Sequence, residues 1–168
     1  MLDRRYRHYP IIGQEAFEWV KGIMASGELS MYRGTPDGQD GGRWVQKLEA
    51  EFRAYFGIKH ALAVNSATAG LHACVLACGI HKESDWVTVS PYSFASSASC
   101  VLMAGGTPVF CDIDENTFAI TTRILLSKAV IPVHLCGNPM NIAKVFVGGP
   151  RQAFVIEDAA QALGAVYH

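Results

Sequence analysis

The sequence has little charge, no excess of either sign and no long apolar run. Charged residues make up 17% of the chain and the formal net charge is −1. Because no basic excess is available to neutralise the phosphates of a duplex, we expect no nucleic-acid partner. No run reaches the roughly 18 apolar residues of a membrane-spanning helix, so we expect no membrane partner either.

The cysteines are few and odd in number, and they do not form a ligand pattern. All five sit singly within apolar runs, and Cys74 and Cys78 share one face of an expected helix. We interpret them as small buried hydrophobic residues in a reducing compartment, and expect neither disulfides nor a metal site. Residues 1–10 are basic but lead into no apolar run, so they do not resemble a secretory signal. A cytoplasmic location is therefore expected.

Half of the residues are hydrophobic, which is enough for a core in a chain of 168 residues. Helical spacing of apolar residues predicts four helices, over 14–26, 44–56, 69–78 and 94–104. Glycines follow all four, as expected at helix ends. The Gly-rich stretch 27–43 is predicted to be a loop, and long loops of this kind are often functional.

Five short apolar runs between these helices predict strands, over 61–64, 86–89, 107–113, 129–134 and 153–156. Strands that alternate with helices favour an α/β fold, with a mainly parallel sheet covered on both faces. Ligands of such sheets bind at the carboxyl ends of the strands. The polar residues expected at those ends are Asn65, Ser66, Thr68, Tyr92, Ser93, His134, Glu157 and Asp158.

The turn over residues 65–70 joins a predicted strand to a predicted helix and consists of small side chains. Free backbone N–H groups and the positive end of the helix would bind an anion here, and Thr68 adds a hydroxyl donor. The alternative is that Ser66 or Thr68 only caps the helix. The turn is neither a P-loop nor a GxGxxG motif, so ATP and dinucleotides are poorly supported.

Asp158 follows a predicted apolar strand directly, so its carboxylate should be partly buried and in need of a partner. A pyridinium N–H⁺ is one such partner, and Gln161 could reach the same ligand if a helical turn begins here. The alternative is that Asp158 caps a helix and that Gln161 lies on the surface.

Two aromatic residues and a histidine follow other predicted strands. Tyr92 or Phe94 could lie flat over an aromatic cofactor, although core packing is the commoner role of an isolated aromatic. His134 ends the fourth predicted strand. It is a candidate contact to cofactor or substrate, with a hydrogen-bonded structural histidine as the equal alternative.

The chain resembles the DegT/DnrJ/EryC1/StrS aminotransferases along nearly its whole length. These are enzymes that depend on pyridoxal 5'-phosphate (PLP), have the aspartate aminotransferase fold (fold type I) and act mostly on nucleotide-linked keto-sugars. The order and spacing of several blocks make the resemblance specific. The blocks are GELS (27–30), LEAEF (48–52), VNSATAGLH (64–72), AGGTPVFCDID (104–114), PVHLCG (132–137) and IEDAAQALGA (156–165).

The resemblance implies one incomplete PLP-binding large domain over 1–168, with helices and the Gly-rich loop in 1–57 and the sheet in 58–168. It implies that Thr68 and the amide of Ala69 bind the cofactor phosphate, with Ser66 in the same turn. Phe94 would stack on the ring, Asp158 would pair with the ring nitrogen, and Gln161 would lie beside the ring hydroxyl. It further implies a homodimer, a nucleotide-sugar substrate and glutamate as the amino donor, in polysaccharide or antibiotic amino-sugar biosynthesis.

The Schiff-base lysine of the family is expected some tens of residues beyond Gln161, whereas the last lysine here is Lys144. We therefore expect the 168-residue chain to be inactive by itself. Two alternatives remain open. One is a pyridoxamine-phosphate-dependent sugar dehydratase of the same family, in which histidine replaces the lysine. The other is a truncated, non-catalytic product that only binds cofactor or a partner.

Overall fold

The computed structural model describes residues 13–27, 29, 41–121, 126–144 and 153–167. The chain divides into two compact units, with the boundary between Ala63 and Val64. No helix among these described residues is long and apolar enough to cross a membrane. The predicted loop 27–43 lies mostly outside the described residues.

The first unit contains two helices, α1 (Gln14–Ser26) and α2 (Arg43–Phe56). Both end where glycine was expected to stop them. Gly27 and Gly57 take φ values of 69° and 64°, a backbone conformation that residues with a side chain rarely adopt. Trp19 of α1 meets Trp44 of α2 edge to face, with ring centroids 4.9 Å apart.

The second unit is an α/β structure with a parallel four-stranded sheet in the order β2-β1-β3-β4. This confirms the predicted fold class. Along the chain, two helices alternate with the first two strands, and the last two strands come after them. The elements are α3 (Ala67–Ala77), β1 (Trp86–Val89), α4 (Ser96–Met103), β2 (Thr107–Phe110), β3 (Ala129–Ile131) and β4 (Phe154–Val155).

The two faces of the sheet are covered differently. Val89 and Ile131 point to one face and join a fully apolar cluster with Val75 of α3 and Val101 of α4. Val130, between two residues of that face, points to the other side, because side chains alternate along a strand. There it clusters with Val155 of β4 and with residues of connecting segments rather than α-helices: Cys111, Ile113, Ala119, Ile120, Met140 and Ile142. The sequence predicted a sheet covered on both faces. Among the described residues, α-helices cover one face only.

The predicted strands are mostly too long, and one is wrong. The runs 107–113 and 129–134 end as strands at Phe110 and Ile131, while the run 153–156 keeps only two strand residues. Residues 61–64 form no strand, because none of the described strands pairs with them. Leu62 is accordingly 77% exposed. An apolar run cannot become a strand without a hydrogen-bonded neighbour.

The prediction for the cysteines is correct in part. Cys74 and Cys136 are exposed rather than buried. Cys100 and Cys111 are buried as expected. The helix face that carries Cys74 thus does not coincide with the apolar face that packs on the sheet.

One ion pair lies beside the first strand of the sheet. The buried Asp85 carboxylate accepts the backbone N–H of His81 and pairs with the Lys128 ammonium, 3.2 Å away. The His81 N–H and the Lys128 charge hold the pKa of the Asp85 carboxyl below its ordinary value, although burial acts in the opposite direction. The segments that precede β1 and β3 are joined by this contact.

Candidate active site at the carboxyl edge of the sheet

The strand order places a topological switch point between β1 and β3. The chain leaves β1 toward β2 on one side, and leaves β3 toward β4 on the other. Connections that diverge in this way open a gap outside the carboxyl ends of the two strands, which is where open α/β sheets bind ligands. Asp158 lies at this edge, since its N–H donates to Pro132 O and its own C=O accepts the N–H of His134.

The Asp158 carboxylate is buried, with 7% of the residue exposed. Oδ1 accepts the backbone N–H of Ala160 at 3.2 Å, and Oδ2 accepts the Ser97 hydroxyl at 3.2 Å. Both donors are neutral. The alternative of a helix cap does not apply, because the residues after Asp158 form turns and no helix up to Tyr167. Among the described residues only these neutral donors hold the carboxylate, and a buried charge held in this way favours a cation as a further partner.

Ser97, which belongs to α4 and is 1% exposed, was not among the site residues predicted from the sequence. Its hydroxyl also lies 2.9 Å from the hydroxyl of Ser93. The spacing of four between these serines was the available signal, because residues four apart share a helix face. The next turn carries Cys100, whose pKa burial raises to about 11, so its thiol stays protonated.

The amino end of α3 carries the predicted phosphate turn. Ser66 is the N-cap, and its hydroxyl accepts the N–H of Ala69 at 3.2 Å. The capping role that was left open for Ser66 is therefore present. Thr68 is half-buried, and no described hydrogen bond uses its hydroxyl or the N–H groups of Ala67 and Thr68. The helix end thus retains donors for an anion.

The two aromatic candidates behave differently. Tyr92 packs against Phe118, with ring centroids 5.3 Å apart. Phe94 is 74% exposed and precedes α4, which begins at Ser96 rather than at Phe94 as predicted. A large aromatic ring so exposed at the ligand edge of the sheet is available for stacking.

His134 is buried and uses both ring nitrogens within the protein. Nδ1 accepts the N–H of Met140 at 3.1 Å, so in the neutral ring the proton lies on Nε2. Nε2 then donates to Glu157 Oε2 at 2.9 Å. These contacts support the alternative that His134 is a hydrogen-bonded structural histidine.

Gln161 does not extend a helical turn from Asp158. Its Oε1 accepts the N–H of Cys136 at 2.7 Å, which ties it to the turn Leu135–Gly137. Cys136 in that turn has a φ of 55°. Because Oε1 is used in this way, the Nε2 group of Gln161 is the part left for a ligand.

Three features of this edge fit a planar, phosphorylated pyridine. They are the buried carboxylate of Asp158, the exposed ring of Phe94 and the donors at the start of α3. The described residues contain no group of three or more His, Cys, Asp or Glu side chains that could hold a metal ion.

Comparison with known proteins identifies the relationship. The family model of the DegT/DnrJ/EryC1/StrS aminotransferase family matches residues 15–168. The chain belongs to this family. The spore coat polysaccharide biosynthesis protein SpsC of Bacillus subtilis is 40% identical, over 94% of this chain and 40% of SpsC.

Solved structures agree with this assignment. An aminotransferase from Psychrobacter cryohalolentis superposes with a TM-score of 0.77 at 30% identity, over 95% of this chain and 40% of that one. A GDP-4-keto-6-deoxymannose-3-dehydratase with a trapped PLP-glutamate geminal diamine shares the fold, with a TM-score of 0.75 at 24% identity over 90% and 40% of the two chains. This chain therefore spans about 40% of the length of the relatives that it matches.

Proposed function

We propose that this chain forms the cofactor-binding part of a PLP-dependent aminotransferase that acts on a nucleotide-linked keto-sugar. The observation that carries the proposal is the buried Asp158 carboxylate, which neutral donors hold at the carboxyl edge of the sheet. A buried negative charge is costly unless a cation pairs with it. A protonated pyridine nitrogen supplies that cation.

The other residues of the site take roles that match the parts of the cofactor. Thr68 and the amino end of α3 bind the phosphate, since the helix dipole and free N–H groups favour an anion. The amide of Ala69 already donates to Ser66, so we assign Ser66 and Ala69 to shaping the turn as well as to binding. Phe94 covers one face of the ring.

Asp158 keeps the proton on the ring nitrogen, and the Nε2 group of Gln161 donates to the ring hydroxyl oxygen. When bound, PLP supplies an electron-withdrawing ring that stabilises negative charge on the carbon of a substrate. We assign His134 to holding Glu157 and the Met140 segment rather than to the ligand, because both its nitrogens are bonded.

The substrate and pathway rest on the family and its members. A relative that acts in spore coat polysaccharide biosynthesis supports a role in amino-sugar synthesis for a cell-surface polysaccharide. A solved relative whose sugar is linked to GDP supports a nucleotide-linked substrate. On the same family resemblance we propose glutamate as the amino donor, a homodimer and a cytoplasmic location.

The cofactor role is tested by isothermal titration calorimetry, in which pyridoxamine 5'-phosphate (PMP) is titrated into the purified chain. PMP is the probe because its binding needs no Schiff-base lysine. We expect Asp158→Asn to weaken PMP binding about 100-fold, the size typical for loss of one partner of a buried charge pair. Asp112→Asn is the matched control, because Asp112 also follows a strand but is exposed.

An unchanged affinity in Asp158→Asn, or an equal loss in Asp112→Asn, would contradict the proposed site. The substrate class needs a separate measurement. Saturation-transfer NMR on the PMP-loaded chain should show contact with a nucleotide-linked keto-sugar and a weaker signal with the free sugar. Equal signals would refute the nucleotide-sugar assignment and leave the cofactor role standing.

A further inference from the structure

Two serine hydroxyls and the Asp158 carboxylate form a chain of hydrogen bonds with a defined direction. An ionised carboxylate only accepts hydrogen bonds, so the Ser97 hydroxyl donates to Asp158 Oδ2. The Ser97 oxygen is then left to accept, and Ser93 is its donor at 2.9 Å. Each bond in such a chain polarises the next, which strengthens the donation to the carboxylate.

The position of Ser97 makes this contact hard to replace. Ser97 is 1% exposed, so water cannot readily take over its bond to Asp158. The two residues are 61 positions apart in sequence, and the contact joins the first turn of α4 to the segment after β4. The donor is therefore held by a packed helix that is distant in sequence from Asp158.

The contacts also set the orientation of the carboxylate. Ala160 N–H binds Oδ1 and Ser97 binds Oδ2, so each oxygen has one fixed donor. Each oxygen has a second lone pair, which leaves an acceptor position for a ligand. Two fixed donors on opposite oxygens oppose rotation of the carboxylate plane, so its orientation is set before a ligand arrives.

We propose that Ser97, supported by Ser93, is a positioning residue that orients Asp158 toward the ring nitrogen of the cofactor. The inference rests on the proposed function. It predicts that the serine hydroxyl matters for ligands that carry a basic ring nitrogen and does not matter for ligands that lack it.

The test compares PMP with its 1-deaza analogue, in which a C–H group replaces the ring nitrogen. Both are titrated into the 168-residue chain and into Ser97→Ala. We expect about tenfold weaker binding of PMP, the size typical of one hydrogen bond to a charged group. Binding of the deaza analogue should stay within about twofold, because it offers no N–H⁺ to the carboxylate. Ser99→Ala is the matched control in α4, since no hydrogen bond of its side chain to another described residue occurs.

A second readout follows the ring nitrogen itself. With ¹⁵N-labelled PMP, the nitrogen signal should have its protonated value in the wild-type chain and move toward the unprotonated value in Ser97→Ala. Ser93→Ala keeps the buried serine and should show the same selectivity with a smaller loss, about threefold. If Ser97→Ala does not fold, the result for Ser93→Ala tests the positioning role instead.

The outcomes separate the two proposals. Equal losses for PMP and its deaza analogue show a merely structural serine and overturn the positioning role, as does unchanged PMP binding in Ser97→Ala and Ser93→Ala. In both cases the proposed function stands if Asp158→Asn still weakens PMP binding. A wild-type chain that binds no PMP overturns the proposed function, and the role of Ser97 with it.

Discussion

The two compact units of the chain bury their apolar side chains to very different degrees. Neither α1 nor α2 of the first unit contains a buried residue, and Val20 and Met24 are more than half exposed. In the second unit, Val89 and Ile131 of the sheet are completely buried. The helices of the first unit thus follow local signals such as capping glycines and apolar spacing, whereas the sheet depends on burial between distant segments.

The largest effect that tests this contrast is expected in the sheet. Ile131→Ala should lower the free energy of unfolding by about 3 kcal/mol, because it removes a buried side chain and leaves a cavity. Val20→Ala in α1 should change it by less than about 0.5 kcal/mol, since Val20 is 53% exposed. Urea unfolding followed by circular dichroism measures both. Equal losses would mean that the apolar face of α1 is covered in solution, and the contrast would fail.

Two glycines give the next largest effect, with opposite signs in the two units. In Gly106→Ala the new Cβ would clash with Cγ2 of Ile80 and lie 3.1 Å from the Asp85 carbonyl oxygen, so we expect a loss of about 1–3 kcal/mol. In Gly22→Ala nothing lies within 4 Å, and the better helix propensity should stabilise α1 by about 0.5–1 kcal/mol. Far-UV circular dichroism and thermal unfolding report both changes. A stabilised Gly106→Ala would refute the close packing under β2.

The smallest effect is expected in the contact between the two helices of the first unit. Lys47 Nζ lies 4.0 Å from the ring centroid of Trp19. Lys47→Met keeps the stem and removes the charge, so it should cost about 0.5–1 kcal/mol. Lys21→Met is the control, because among the described residues Lys21 pairs only with the exposed Glu18, at 3.9 Å, and such pairs contribute little. Equal costs in thermal unfolding would argue against a specific cation–π contact.

The accuracy of the predicted elements follows the same division. The helix 14–26 has the predicted bounds and α2 begins one residue earlier than predicted, because glycines and apolar spacing act locally. Four of the five predicted strands occur at their expected positions, but their ends depend on partners that lie far away in sequence. Residues 61–64 form no strand, since an apolar run without a neighbouring strand stays irregular.

The positions of the candidate site could be predicted from the sequence, but the contacts between its side chains could not. Asp158 was expected to be partly buried after a strand, and it is. Ser97 was overlooked because a run of small residues does not reveal which serine faces the sheet. The ring nitrogens of His134 likewise bond residues that lie 6 and 23 positions away in sequence. Gln161 bonds Cys136, which lies 25 positions away. No periodicity specifies such contacts.

By itself, the sequence determined the fold class, the positions of the helices and the family to which the chain belongs. These depend on local propensity and on the order of short blocks along the chain. Only the tertiary structure decided which face of the sheet the helices cover, and which donors hold the Asp158 carboxylate. The physical reason is that burial and hydrogen bonding between distant residues arise when the strands align, and no local pattern carries that information.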